Sequence, residues 1–484
     1  MRKSIVYTSL VVMAVLLASS GILVARTTNA FANGQSAAIV IGQPNFTASG
    51  HGNVSASTLY DPAGIAFDSS GNLWVADSAN GRILEFKAPL STGESASTVL
   101  GESNFTTAGF SNQCSGTTIV NPSCLTNPWG LAFDSSGNLW VSDNTQYRIL
   151  EFNAPFTNGE NASIVLGQPS LTQAGTGNTP SASNLNQPAG ISFDSSGNLW
   201  VADTLWNRVL EFKTPFSTGE SASLVLGQDN FTSGTNANWA PGCPQGTDCP
   251  TASSLSVPFD VKADSSGNIW VADKGVDRIL QFTSPFTNGE SASLVLGSTN
   301  FTTWGSLGRF YCSVVSPNQY CLSIPYSLTF DSSGRMWVAD TGYNRAVSFN
   351  PPFSTNQNES TVLGFPDYVS SGPISQSAND SNLLVPGGVA VDSMGNVWVS
   401  DSGQNRVVEF PASTTASSSS QSTVAMSSSQ QTSSSATSTT TPTTTTSSTQ
   451  GGGSSFPVTY IAIAGVVVVA LAATAFIMIR RGRV

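Results

Sequence analysis

Histidine is nearly missing from this sequence, which holds a single one, His51, in 484 residues. Sites built from several imidazoles for metal binding or proton transfer are therefore excluded. Charge is also scarce, at 10% of residues, with 18 Lys and Arg against 29 Asp and Glu. All 29 acidic residues fall within 33–410, beside only twelve basic ones, a balance of −17. Nucleic-acid binding needs a basic surface to displace phosphate counterions, so RNA and DNA are excluded as partners. No Gly-x-Ser-x-Gly elbow occurs, and no paired metal-ligand spacing. Long apolar runs are confined to the two ends of the chain.

Turn residues and short apolar runs fill the interval between those ends. One motif occurs six times, starting at Pro62, Pro128, Pro188, Pro258, Pro325 and Pro386, at spacings of 66, 60, 70, 67 and 61 residues. Its first copy reads PAGIAFDSSGNLWVADSANGRILEF. A period this long, with several strand-like runs inside it, implies a repeat architecture. Four strands are expected per period, near 64–67, 73–76, 82–86 and 95–100. Asp68-Ser69-Ser70-Gly71-Asn72 separates the first two as a hairpin turn. In Leu73-Trp74-Val75-Ala76 both lanes are apolar, so the strand is covered on both faces. Four-stranded sheets packed face to face around an axis meet that requirement, which gives an all-β, six-bladed β-propeller. The sixth copy lacks a fourth strand, whereas residues 36–42 carry an unattached one. The N-terminal strand is therefore expected beside Arg406–Phe410, closing the ring.

The Pro–Gly start, the Asp-x-x-Gly-Asn turn, the Val-x-Asp step and the Asn-x-Arg step resemble the NHL repeat, over roughly 35–410. That resemblance implies a propeller fold. It implies no single function, because similar propellers include binding modules, amidating lyases, lactonase-like hydrolases and synthase-like proteins.

The ends suggest where such a propeller would reside. Arg2 and Lys3 precede an apolar run at 5–24, and Ala30-Phe31-Ala32 offers a cleavage site, so 1–32 reads as a signal peptide. Residues 33–410 form the propeller. Thirty of the 45 residues at 411–455 are Ser or Thr, which reads as a disordered stalk. Residues 456–479 read as a transmembrane helix, its uncharged core at 458–479 being 22 residues long. Arg480, Arg481 and Arg483 mark 480–484 as a cytoplasmic tail and leave the propeller extracellular.

Six cysteines form three close pairs, Cys114/Cys124, Cys243/Cys249 and Cys312/Cys321, each in an insertion between blades. In a secreted chain they read as local disulfides. Sequons at Asn45, Asn53, Asn104, Asn161, Asn230, Asn300, Asn358 and Asn379 are candidates for glycosylation. Six Asp–Arg pairs five residues apart, from Asp77/Arg82 to Asp401/Arg406, read as structural braces of exposed turns, contributing about 0–1 kcal/mol each.

Two places carry candidate chemistry. Tyr147, Trp206 and Tyr343 replace smaller residues in the Asp–Arg turns and are expected as exposed rim aromatics for protein or carbohydrate ligands. Blade four has Asp260 and Lys262 where other blades have small residues in the channel-lining strand. These form either an ion pair plugging the channel or a ligand or ion site. No catalytic residue, metal site or cofactor is expected, with Ca2+ in the channel as the alternative. The expected function is a membrane-anchored surface module that recognises or adheres to an extracellular protein or carbohydrate. The alternative is a divalent-cation-dependent hydrolase or lyase at the channel mouth.

Overall fold

A computed structural model describes residues 28–415 apart from 109–120, 174, 176–178, 235–249, 303–317 and 370–376. Six four-stranded antiparallel sheets make up the described chain, together with one two-stranded pair. The inner strands are Pro62–Phe67, Pro128–Phe133, Pro188–Phe193, Pro258–Ala263, Pro325–Phe330 and Pro386–Val391, numbered here as blades 1 to 6. Each inner strand packs on the next, and blade 6 packs on blade 1, so the sheets form a closed ring. The expected six-bladed propeller is thus present.

In blade 1 the remaining strands are Leu73–Asp77, Arg82–Phe86 and a short outer strand, Thr98–Leu100. The alternation of side chains sends Leu73 and Val75 into a core shared with Trp398 and Val407 of blade 6. Trp74 and Ala76 face the other way, into a core with Leu131, Val141 and Leu150 of blade 2. Six tryptophans, one per blade, repeat this and are all but inaccessible. Burial of one such side chain contributes about 2–3 kcal/mol. Each blade is therefore packed by apolar side chains on both faces, as the doubly apolar lanes require.

The hairpin turn has a specific fastening. Asp68 Oδ1 accepts from the backbone N–H of Ser70 and Asn72, at 2.8 and 3.0 Å. Its Oδ2 accepts from Asn72 Nδ2 and from the Trp74 indole, at 2.8 and 3.2 Å. One carboxylate thus closes the turn and fixes the interblade tryptophan.

The N-terminal strand is Ile39–Ile41, and it pairs with Arg406–Phe410 in the register Ile39↔Glu409, Val40↔Val408, Ile41↔Val407. The expected clasp is present. The repeat begins earlier than residue 33, however. Phe31 packs edge-on against Trp337 at 4.8 Å, as Phe156, Phe216, Phe286 and Phe353 do against Trp74, Trp140, Trp200 and Trp270. Thr28–Ala30 also pairs with Ser413–Thr415, at the start of the Ser/Thr-rich segment. Among the described residues no helix is long and apolar enough to cross a membrane. Residues 416–484, and so most of the stalk together with the 456–479 span, lie outside the described residues, as does 1–27.

The Asp–Arg pairs differ from expectation in exposure. Asp77 and Arg82 are completely buried, with Nε donating to Oδ2 at 2.7 Å. The guanidinium also donates to the carbonyls of Ser55, Thr58 and Phe105, drawing two loops onto the blade. The polar turn between them contains a 3-10 helix, Ser78–Asn80, that folds inward over the pair. All six blades share this device.

Candidate functional site at the channel mouth

The 3-10 turns and the starts of the inner strands lie on the same side of the ring. In five blades the first residue of the turn fastens it to the next blade. Ser78 donates to the Pro128 carbonyl, Asn144 to Pro188, Thr204 to Pro258, Thr341 to Pro386 and Ser402 to Pro62, at 2.5–3.1 Å. Blade 4 has Lys274 there instead. Its ammonium lies 4.1 Å from the centre of the Phe259 ring and 4.4 Å from that of Tyr326. Desolvation lowers the Lys274 pKa to about 8. The ring faces act the other way and favour the cation.

Phe259 and Tyr326 directly follow the prolines of blades 4 and 5, where blades 1, 3 and 6 have Ala63, Ala189 and Gly387. Trp129 occupies the same position in blade 2. Trp129 and Phe259 meet edge to face at 4.8 Å, and Phe259 and Tyr326 lie 4.5 Å apart. Three rings from three blades therefore gather across the axis. The sequence comparison that singled out Asp260 would have found them one position earlier in the strand.

Beneath the rings lies a cavity of about 40 Å³ lined by Gly64, Trp129, Gly190, Phe259, Asp260 and Lys262, among others. That volume suits a few waters and no organic ligand. Asp260 Oδ1 accepts from Lys262 Nζ at 3.0 Å and from the Val261 N–H at 2.9 Å. Its Oδ2 accepts from Ser327 Oγ and the Leu328 N–H of blade 5, each at 2.9 Å. Lys262 also donates to the Ile191 carbonyl of blade 3 at 3.2 Å. Of the two readings open in the sequence, the geometry gives the ion pair, which ties three blades together. Gly190 is required beside it, because an added Cβ would collide with the Asp260 carboxylate.

The expected rim aromatics are elsewhere. Trp206 is 5% exposed and Tyr343 is fully buried. Their rings lie on the guanidinium groups of Arg208 and Arg345, at 4.7 and 5.0 Å. The inward fold of the 3-10 turn carries its third residue onto the blade's own arginine, which overturns the exposure expected of both. Burial raises the Tyr343 pKa. Tyr147 is partly buried and occupies the left-handed residue that ends its turn, with φ 56°. The sequence brings none of the three to the mouth.

Around the mouth, the residue before each proline adopts positive φ in five blades: Asp61, Gln187, Val257, Ile324 and Val385. Four of these N–H groups are held by a side chain of the preceding blade, namely Asn405, Asn207, Asp277 and Asn344, at 2.6–2.9 Å. In these four blades the residue directly before the buried arginine, Asn three times and Asp once, is thus an interblade latch. Desolvation first and Asp77 second raise the Asp61 pKa, and desolvation and then the Asp61 charge raise that of Tyr326. Asp61 of blade 1 is therefore close enough to act on blade 5's phenol.

Among the described residues no cluster of three or more His, Cys, Asp or Glu could hold a metal ion. Cys124 and Cys321 are buried, and no described cysteine is a free thiol. Cys114, Cys243, Cys249 and Cys312 lie outside the described residues. All eight sequon asparagines are exposed.

The NHL repeat matches the chain at 59–86, 125–152 and 383–410. No curated protein matches it. Solved structures of similar arrangement include a virginiamycin B lyase from Staphylococcus aureus, 13% identical, covering 72% of this chain and 94% of its own, with TM-score 0.37. An auxiliary nutrient binding protein from Bacteroides ovatus is 9% identical, with coverages of 78% and 76% and TM-score 0.46. A gluconolactonase from Xanthomonas campestris is 13% identical, with coverages of 80% and 99% and TM-score 0.40. Their roles differ from one another, and none is carried over to this chain. With the closed ring of six sheets, the protein is a six-bladed β-propeller that carries NHL repeats in blades 1, 2 and 6.

Proposed function

We propose that this protein is a cell-surface recognition module, with an extracellular protein or carbohydrate seated on the aromatic channel mouth. One observation carries the reading: departures from the sixfold repeat converge on one place. Residues that the fold needs recur in all blades, as the Asp–Arg pairs and tryptophans do. Trp129, Phe259, Tyr326 and Lys274 do not recur, yet they meet at the axis. Lys274 also forgoes the interblade hydrogen bond made by its five counterparts. Large aromatic rings with few rotatable bonds are suited to binding.

The surface location is supported by the leader-like N-terminus, the Ser/Thr-rich stalk and the uncharged run followed by arginines. Disulfides Cys114–Cys124, Cys243–Cys249 and Cys312–Cys321, and glycans on the exposed sequons, belong to the same proposal. A cation-dependent hydrolase gains no support at Asp260. An ammonium and three other donors already occupy its oxygens.

The test is attachment of the full-length protein, in detergent, to candidate cell-surface material. Trp129→Ala and Tyr326→Ala should abolish attachment, whereas Trp206→Ala should leave it intact where the fold survives. Attachment lost only with Trp206→Ala would place the site on the rim.

A further inference from the structure

The chemistry around the mouth is not uniform. Blades 1 to 3 present Asp61, Asn127 and Gln187 before their prolines, whereas blades 4 to 6 present Val257, Ile324 and Val385. The last three are β-branched or branched apolar residues at φ 53–54°, a region such residues rarely adopt. The latch does not require them, since Asp61 donates its backbone N–H to Asn405 Oδ1 in the same way. Ile324 and Val385 are nonetheless exposed. The interblade bonds hold this backbone in place, and strain of this kind clusters at binding sites. The mouth is thus polar on one half and apolar on the other, with three rings between.

Lys274 adds one positive charge. Five blades use a neutral Ser, Asn or Thr there, and each binds the next blade's carbonyl. Among the described residues no carboxylate pairs with Lys274, in a propeller with a large acidic excess. A partly buried ammonium backed by two ring faces stays charged and is left to find its anion in the ligand.

Resting on the recognition reading above, we propose that the ligand is an acidic saccharide, a sugar carrying a carboxylate. Its carboxylate lies on Lys274. Its C–H face stacks on the rings, and its hydroxyls meet Asp61, Asn127 and Gln187. Sugars are amphipathic in the way the mouth is, with an apolar face and a hydroxyl edge. Asp61 accepts from hydroxyls and repels ligands that are anionic throughout, which disfavours a bare phosphate. The rings, above a cavity of only about 40 Å³, suit one or two sugar units on the surface.

The test titrates the full-length protein in detergent with glucuronate-, galacturonate- and sialate-bearing oligosaccharides, their methyl esters and neutral glucose oligomers. At least one acidic sugar should bind, and its ester should bind about tenfold more weakly. Lys274→Met should reduce the acidic sugar to the level of its ester without lowering the melting temperature. Lys274→Arg should retain most of the binding. Equal binding of acid and ester, or no effect of Lys274→Met, would overturn the acidic ligand while leaving recognition at the mouth intact. The same holds if no saccharide binds but Trp129→Ala still abolishes attachment to cell-surface material. Attachment that survives both Trp129→Ala and Lys274→Met would overturn the recognition reading as well.

Discussion

Blades 1 and 4 have the same strands in the same register, from Pro62↔Asp77 and Pro258↔Asp273 at the inner hairpin to the short outer strand. Their tryptophans, ion pairs and turn carboxylates superpose in role. They differ along the channel-facing inner strand and at the head of the 3-10 turn. Blade 1 has Ala63, Gly64, Ala66 and Ser78, where blade 4 has Phe259, Asp260, Lys262 and Lys274. The comparison separates two sets of requirements. Stability resides in the residues between blades, and these are held constant. The axis tolerates replacement, and one blade has been changed there at four positions at once.

The largest effect should be common to both blades. Asp77→Ala and Asp273→Ala each leave a buried guanidinium without its carboxylate, at a cost of about 3–5 kcal/mol. Denaturant unfolding of the two variants should give similar losses. A large loss in one blade only would mean that the frame is not equivalent in the two.

A smaller loss should be confined to blade 4. Asp260→Ala strands the Lys262 ammonium and two donors of blade 5, at about 1–3 kcal/mol. The converse change, Gly64→Asp in blade 1, should not reproduce the bridge. A Cβ there would run into the Trp129 carbonyl, and thermal melting should report destabilisation.

Lys274→Ser should shift stability the other way. It restores the hydroxyl found at Ser78 and Ser402, which can reach the Pro325 carbonyl, for a gain of about 0.5–1.5 kcal/mol. A rise in melting temperature together with loss of ligand would sharpen the division between frame and site. An unchanged melting temperature would mean that blade 4 does not miss its latch.

The smallest effect concerns pH, through blades 1 and 6. Glu85 accepts hydroxyl bonds from Ser97 and Thr98 at 2.7 and 2.5 Å. Glu409 faces Ala38 and Ile39 of the clasp instead, and burial, then Asp392, raises it from 4.5 to about 7. Between pH 4.5 and about 7 the folded chain keeps a proton that the unfolded chain has released. Stability therefore falls as pH rises through that window and is level above it. Asp203 and Asp401, raised to about 6 by burial, act in the same direction. The informative readout is therefore the difference between the wild type and Glu409→Gln, whose slope should be shallower. An identical slope would remove Glu409 from the account.

The fold was legible because its determinants repeat. A tryptophan lane, a turn carboxylate and an Asp–Arg step seen six times locate the strands, and the unattached strand before Gly42 locates the clasp. The site was less legible. Trp206 and Tyr343 look exposed in a polar turn, and only the inward fold of that turn reveals the guanidinium beneath each ring. Lys274 sits in a turn where Ser, Asn and Thr alternate, so its loss of a bond has no sequence signature. Trp129, Phe259 and Tyr326 stand out once blades are aligned, but their meeting requires the ring. The pairing of Thr28–Ala30 with Ser413–Thr415 was hidden by composition, since Ser and Thr runs read as unstructured.

Closure by the clasp also sets an order of events during synthesis. The Gln43 side chain bonds the Asn405 carbonyl, a residue 362 positions later in the chain. At about 5–20 residues per second, the strand made first waits roughly 20–70 s for its partner. Until then Val40, fully buried in the finished ring, lacks the Trp337, Ala339 and Val408 side chains of blades 5 and 6 that cover it. Five blades can assemble as they emerge; the sixth cannot. A growing chain therefore carries one sticky end throughout its manufacture, and whatever shields that end governs the yield of finished rings.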